Sequence, residues 1–153
     1  MGRDRRSAGE KGRHLRLDRF IEAQAPVYAQ ALAELRAGRK TSHWMWFVFP
    51  QIAGLGQSAT SRAYAIQSLD EARAYLAHPV LGARLRECCQ AVMNLRGESA
   101  QDIFGSVDAM KFRSCLTLFT EADHDEVLFF NLLEKYFDGD ADEATLEILS
   151  DLE

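Results

Sequence analysis

Residues 42–51 read SHWMWFVFPQ, and this stretch decides how we interpret the rest of the chain. It contains both tryptophans of the protein and a run of six apolar residues from Trp44 to Phe49. Such a run fits a fully buried strand or a short buried helix, because its pattern alone favours neither. The flanking segments have helical patterns, and an isolated strand would have no partner for its backbone groups. We therefore predict a short helix or an irregular buried segment that Pro50 ends.

Apolar residues recur at helical spacing on both sides of this stretch, with short polar connections between them. Residues 99–105 read as a capped single turn closed by Gly105, and a long helix follows. Asp123 with Glu126 reads as a capping box in front of a further helix. No segment pair resembles a hairpin. The sequence predicts an all-α fold, a compact single-domain bundle of seven to nine short and medium helices with no significant sheet.

Charge is distributed unevenly around the net value of −5. Residues 1–16 carry six Arg and Lys against two acids and lack apolar periodicity, so they are predicted to form a disordered basic tail. Residues 17–153 are predicted to form a single helical domain. Residues 121–153 carry twelve acids and one lysine. This acidic C-terminal segment would repel phosphates, so we expect no nucleic-acid partner.

The cellular compartment and the metal content also follow from simple patterns. No apolar run approaches the roughly 20 residues of a membrane span, and the N-terminus lacks the apolar region of a signal peptide, so we expect no membrane association and a cytoplasmic location. An odd number of cysteines, two of them adjacent, indicates reduced thiols. Residues 138–149 begin like a calcium loop, but Glu143 replaces the required glycine and Leu149 the required glutamate. We predict no metal and no cofactor.

Candidate functional residues lie at the edges of the central stretch. His43 has the chemistry of a general base or an orienting donor, although a histidine at this position can also serve only to cap a helix or to pack. Arg39 and Lys40 can hold a phosphate or carboxylate, or simply solvate a helix end. Trp44 and Trp46 can stack on a ring, but their spacing puts them on roughly opposite sides of a helix, so at least one is expected in the core.

Three further polar residues complete the candidate ligand-binding set. Ser42 lies next to His43, and Gln51 follows Pro50 with an amide that can reach into a pocket. Lys111 lies on an otherwise apolar helix, so it needs a partner, which Asp102 or Asp108 can supply.

The chain resembles a known family in four blocks. They are LRAGRK at 35–40 with SHWMWFVFPQ and GLG at 54–56, RAYAIQSLDEA at 62–72, HPVLGARL at 78–85, and IFG at 103–105 with KFRS and TLF at 111–119. They are similar to the domain-of-unknown-function family 1810, over about residues 17–149. The resemblance implies a small, mainly helical, mostly bacterial cytoplasmic protein without an established activity. Some relatives carry the label calpastatin, but this sequence lacks the repeated, disordered inhibitor segments that the label denotes. Relatives often have a second acid where this chain has Ala109.

Two functional hypotheses remain open. The first is a pocket, binding or enzymatic, for an anionic nucleotide-like small molecule near the SHWMWFVFPQ stretch, with hydrolysis of an N-glycosidic bond as a reaction model. The alternative is a non-catalytic protein-interaction module in which the stretch is hydrophobic core. The sequence does not decide between them, because no carboxylate adjoins His43 along the chain. Asp70, Glu71 or Asp108 can approach it only through the fold.

Overall fold

The computed structural model describes residues 17–152, and these residues form nine helices and no strand. We label the helices α1 to α9 in chain order. Their bounds are 17–24 for the described part of α1, then Tyr28–Arg36, Met45–Val48, Ala59–Ala63, Leu69–Ala77, Leu81–Met93, Ala100–Ala122, Val127–Phe137 and Glu143–Leu152. The predicted all-α fold is confirmed. The predicted basic tail, residues 1–16, lies outside the described residues.

Helix α7 is the centre of the core and packs against α5, α8 and α9. Its wide apolar stripe includes Phe112, Leu116 and Phe119, all fully buried. Phe119 contacts Tyr75 of α5 and Phe129 of α8, with ring centroids 5.5 and 5.7 Å apart. A helix with apolar residues on most of its circumference must be covered on several sides, which explains its central position.

The central stretch forms the short helix α3, one of the two forms predicted for it, and the residue after this helix packs on α7. Helix α3 ends at Val48 because Phe49 precedes Pro50, and a residue before proline avoids helical backbone angles. The Phe49 side chain is fully buried, and its ring lies edge-on to Phe112 with 4.9 Å between centroids. The aromatic run therefore supplies core contacts from its C-terminal end.

An isolated parallel bridge joins Ile52 to Ile66. The Ile66 N–H donates to the Gln51 carbonyl at 2.8 Å, and the Ala53 N–H donates to the Ile66 carbonyl at 2.8 Å. This bridge closes the loop that contains α4. Within residues 17–152 no further β pairing occurs, so the prediction of no significant sheet is confirmed.

Helix α7 is interrupted near its start. Ser99 and Asp102 form a reciprocal capping box, and Gly105 then adopts φ 80° and ψ 166°, a conformation open almost exclusively to glycine. The predicted capped turn closed by Gly105 is confirmed. The capping box predicted for Asp123 and Glu126 is wrong. Glu126 is the N-cap of α8, but its side chain bonds to Arg86 and caps no backbone N–H, and the Asp123 carboxylate accepts from the Asp125 N–H instead.

Candidate functional site

A buried carboxylate, Glu34, organises the loop that leads into the central stretch. Helix α2 ends at Arg36, and Gly38 reverses the chain with a φ of 79°. The following residues fold back over Glu34, which accepts five hydrogen bonds. Their donors are the Thr41 N–H (2.8 Å), the Ser42 N–H (3.1 Å) and hydroxyl (2.6 Å), the Trp44 indole N–H (3.0 Å) and the Gln30 amide (3.0 Å).

These hydrogen bonds keep Glu34 ionised. Burial alone would raise the pKa of Glu34, but the bonds from Ser42, Thr41, Trp44 and Gln30 outweigh it and lower the pKa to about 2. A carboxylate that satisfies several N–H and O–H donors at once holds them in one arrangement. The path of the loop, and with it the position of Trp44, is therefore fixed by Glu34.

Lys40 joins this loop to both segments of α7. Its Nζ lies 2.7 Å from Oδ2 of Asp108 and donates to the Ser42 carbonyl at 2.6 Å. It also lies 4.9 Å from the centroid of the Trp44 ring. The Lys40 backbone N–H donates to the Ile103 carbonyl at 2.7 Å. Because Ile103 precedes the break in α7 and Asp108 follows it, Lys40 contacts the helix on both sides of the break.

The start of α3 and the second segment of α7 enclose an open cleft of about 160 Å³, which we call the tryptophan cleft. Its lining residues are Lys40, His43, Trp44, Met45, Trp46, Phe47, Thr60, Asp108 and Lys111. Trp44 is 1% exposed and belongs mainly to the core, whereas Trp46 is half-buried. The two tryptophans thus divide as their spacing predicts, with one in the core and the other available as a wall.

Two lysines of the cleft, Lys40 and Lys111, both pair with the carboxylate of Asp108. The Lys111 Nζ lies 3.4 Å from Oδ1 of Asp108 and 5.6 Å from the centroid of the Trp46 ring. The Lys40 side chain is 6% exposed, whereas that of Lys111 is 31% exposed. Two ammonium groups against one carboxylate leave one net positive charge in the cleft, and Lys111 is the cation with access to solvent.

Metal binding has no support in this region. Among the residues that the structure describes, no three His, Cys, Asp or Glu side chains are grouped so that they could hold a metal ion.

No helix formed by residues 17–152 combines the length and the hydropathy that a bilayer span requires.

Comparison with known proteins gives the family. The model of the family described as "Protein of unknown function (DUF1810)" matches residues 14–149. The chain belongs to this family. A solved relative is the conserved hypothetical protein Rv1873 from Mycobacterium tuberculosis, whose crystal structure was determined at 1.38 Å. It is 50% identical, with a TM-score of 0.86 over 88% of this chain and 96% of Rv1873. No curated protein matches the chain.

The structure of this DUF1810 member brings five of the eight candidate residues together. Lys40, His43, Trp44, Trp46 and Lys111 line the tryptophan cleft. His43 is exposed and lines the cleft together with Asp108. Asp108 is one of the carboxylates that could come near His43 only through the fold. Asp108 is also the partner of Lys111 that the sequence left open between two aspartates.

The other three candidates lie outside the cleft lining. Arg39 is exposed, and the Ser42 hydroxyl donates to Glu34. Gln51 is 2% exposed, with its backbone bound to Ile66 and its amide nitrogen without a hydrogen-bond partner in the described structure. Ser42 therefore acts on the site through Glu34, and Gln51 belongs to the core.

Sequence reasoning missed Glu34 and Thr60. Glu34 carried a usable signal, because it lies within the apolar stripe of α2 between the buried residues Ala31, Leu32 and Leu35. An acid on a buried helix face must be hydrogen-bonded, so its position indicates a polar network. Thr60 gave no signal, since it reaches the cleft from α4 through tertiary packing.

Proposed function

We propose that this protein binds a small anionic molecule that carries an aromatic ring, of the nucleotide type, in the tryptophan cleft. The observation that carries the proposal is the position of Lys111, whose ammonium group lies between the Asp108 carboxylate and the face of Trp46. An ammonium group held beside an indole can pair with an anion while the ring of the same ligand stacks on the indole.

The two lysines have different roles in this proposal. Lys40 is almost fully buried, and its ammonium group already contacts Asp108, the Ser42 carbonyl and the Trp44 ring. It holds the loop and the carboxylate in place. Lys111 has a single ion pair at 3.4 Å and partial exposure, so it is the group that binds the anion.

The remaining cleft residues suit a ring-bearing anion. Trp46 supplies a half-buried indole face, and stacking on such a face contributes about 1–3 kcal/mol per base. The side chains of His43 and Thr60 are exposed at the cleft and make no hydrogen bond within the described structure, so their polar atoms are available to ligand oxygens. Convergent polar groups around an aromatic wall are typical of a small-molecule site, and for this reason we favour it over a protein-interaction module.

Isothermal titration calorimetry with AMP, ADP-ribose and NAD tests the proposal. We expect at least one of these compounds to bind wild type, and Lys111→Gln to weaken that binding about tenfold or more, because a charge-assisted contact is lost. Arg39→Gln is the matched control, since it removes an equal charge from an exposed position outside the cleft lining and should leave the affinity unchanged. Absence of binding by all three compounds, or an equal loss in both variants, would refute the proposal.

Residues of the same cleft could also catalyse a reaction of the bound ligand, and this can be tested separately from binding. His43 and Asp108 both line it, so an imidazole that can accept a proton and a carboxylate are present in the same cleft. We propose His43 as the candidate base. If the protein turns over NAD or ADP-ribose, His43→Ala should abolish product formation, measured by chromatography, while calorimetric binding persists. Binding without turnover by wild type would assign the cleft a binding role only.

A further inference from the structure

The tryptophan cleft is too small to enclose a nucleotide-like ligand. Its volume is about 160 Å³, whereas pockets that enclose whole ligands measure roughly 300–1,000 Å³. Under the proposed function the cleft has room for an anionic group and one ring, and the rest of a longer ligand would have to lie on the surface beside it.

The surface beside Lys111 is apolar. Val107 is 69% exposed and Met110 is 52% exposed, which is unusual for large apolar side chains on a helix whose other apolar residues form the core. We call these two residues the Val107–Met110 ridge. At about 100° per residue, the order around the second segment of α7 is Met110, Val107, Lys111 and Asp108. Val107 and Lys111 are four residues apart and so are neighbours on the helix surface. The ridge is therefore continuous with the Lys111 side of the cleft.

We infer that the Val107–Met110 ridge is the second subsite of the tryptophan cleft and binds the second ring of a two-ring anion, of which a dinucleotide is the type. This inference rests on the proposed function. The anion contacts Lys111, the first ring stacks on Trp46 inside the cleft, and the second ring covers the exposed side chains of Val107 and Met110. Removal of these side chains from water favours the longer ligand over a mononucleotide.

Calorimetric titration of wild type and two double variants with AMP and NAD tests the inference. In Val107→Ser/Met110→Ser, NAD affinity should fall about tenfold while AMP affinity changes less than twofold, because AMP has no second ring. The matched control is Val127→Ser/Phe130→Ser, which removes another exposed apolar pair at the same spacing from α8. It should leave both affinities unchanged.

The outcomes separate this inference from the proposed function. If AMP and NAD bind and both depend on Lys111 but neither depends on the ridge, the second subsite is refuted and the cleft stands. If neither compound binds wild type, the second subsite is refuted, and the proposed function is refuted with it when ADP-ribose also fails to bind. Sedimentation velocity of each variant adds a further check. A dimer of wild type that dissociates in the ridge variant, with NAD affinity unchanged, would assign the ridge to contact between two copies and overturn the second subsite.

Discussion

Replacement of Glu34 by glutamine should destabilise the protein more than any exposed charge substitution. The Oε1 atom of Glu34 accepts from three N–H groups, those of Thr41, Ser42 and the Trp44 indole. The Oε2 atom accepts from the Ser42 hydroxyl and the Gln30 amide. Glutamine has one acceptor oxygen, so its NH₂ group must take the place of one carboxylate oxygen and face donors. All five hydrogen bonds also lose the assistance of the negative charge.

The pKa of Glu34 gives the size of the effect. A value of about 2 in the folded protein, against the ordinary value of 4.5, corresponds to stabilisation by the ionised form of on the order of 3 kcal/mol at pH 7. Because the folded-state pKa is lowered, this stabilisation is complete above pH 4.5 and is lost as the pH falls towards 2. At pH 3 a little under half of it remains. Glu34→Gln should therefore lower the free energy of unfolding by about 2–3 kcal/mol at pH 7 and by about half as much at pH 3.

Urea unfolding followed by far-UV circular dichroism at pH 7 and pH 3 measures both numbers. Glu147→Gln on α9 is the control, because Glu147 is exposed and has no hydrogen-bond or ion-pair partner in the described structure. It should change the free energy of unfolding by less than about 0.5 kcal/mol at either pH. The reasoning is refuted if Glu34→Gln matches the control at pH 7. It is also refuted if the cost of Glu34→Gln is the same at both pH values, since an ionised, hydrogen-bonded Glu34 requires that cost to depend on pH.

Three further predictions concern the core and the break in α7. Gln51→Met should leave the free energy of unfolding unchanged or raise it, because the buried Gln51 amide nitrogen has no partner in the described structure. Gln24→Met should lower the same quantity by about 1–3 kcal/mol, because the Gln24 amide donates to the Phe47 carbonyl and the Tyr75 hydroxyl; equal effects in urea unfolding would contradict this contrast. Gly105→Ala should cost about 1–3 kcal/mol in that assay through backbone strain alone, since nothing lies within 4 Å of the added methyl group, and a neutral result would argue against the break. The three cysteines, Cys88, Cys89 and Cys115, are buried, and burial raises the pKa of each thiol. Ellman's reagent should therefore label none of them within minutes in the native protein and all of them in urea. Rapid labelling of the native protein would contradict their burial.

The fold was predictable where the signal is local. The apolar stripe of α7 identifies a central helix, and Ser99 with Gly105 marks the beginning and the end of its first segment. The capping box at Asp123 failed for a local reason as well. The Asp123 carboxylate accepts a hydrogen bond from the Asp125 N–H in a tight turn, and this bond competes with capping of the helix.

The site was less predictable because its contacts join segments distant in sequence. Lys40 and Gln51 flank the same aromatic stretch, yet one reaches the cleft and the other enters the core. What separates them is the path of the chain after α3, set by the Phe49 contact with α7 and by the bridge at Ile52. Residue type and spacing suggested which side chains are polar enough to bind a ligand, but the tertiary path decided where they point.

The double attachment of Lys40 to α7 has a consequence for motion. Gly105 departs from helical backbone angles, so the angle between the two segments of α7 is set at a break and not by one continuous helix. Lys40 contacts the segment before the break through Ile103 and the segment after it through Asp108. It therefore fixes that angle from outside the helix. Since Asp108 and Lys111 lie on the second segment, a substitution of Lys40 that changes the bend of α7 should also displace two residues that line the tryptophan cleft.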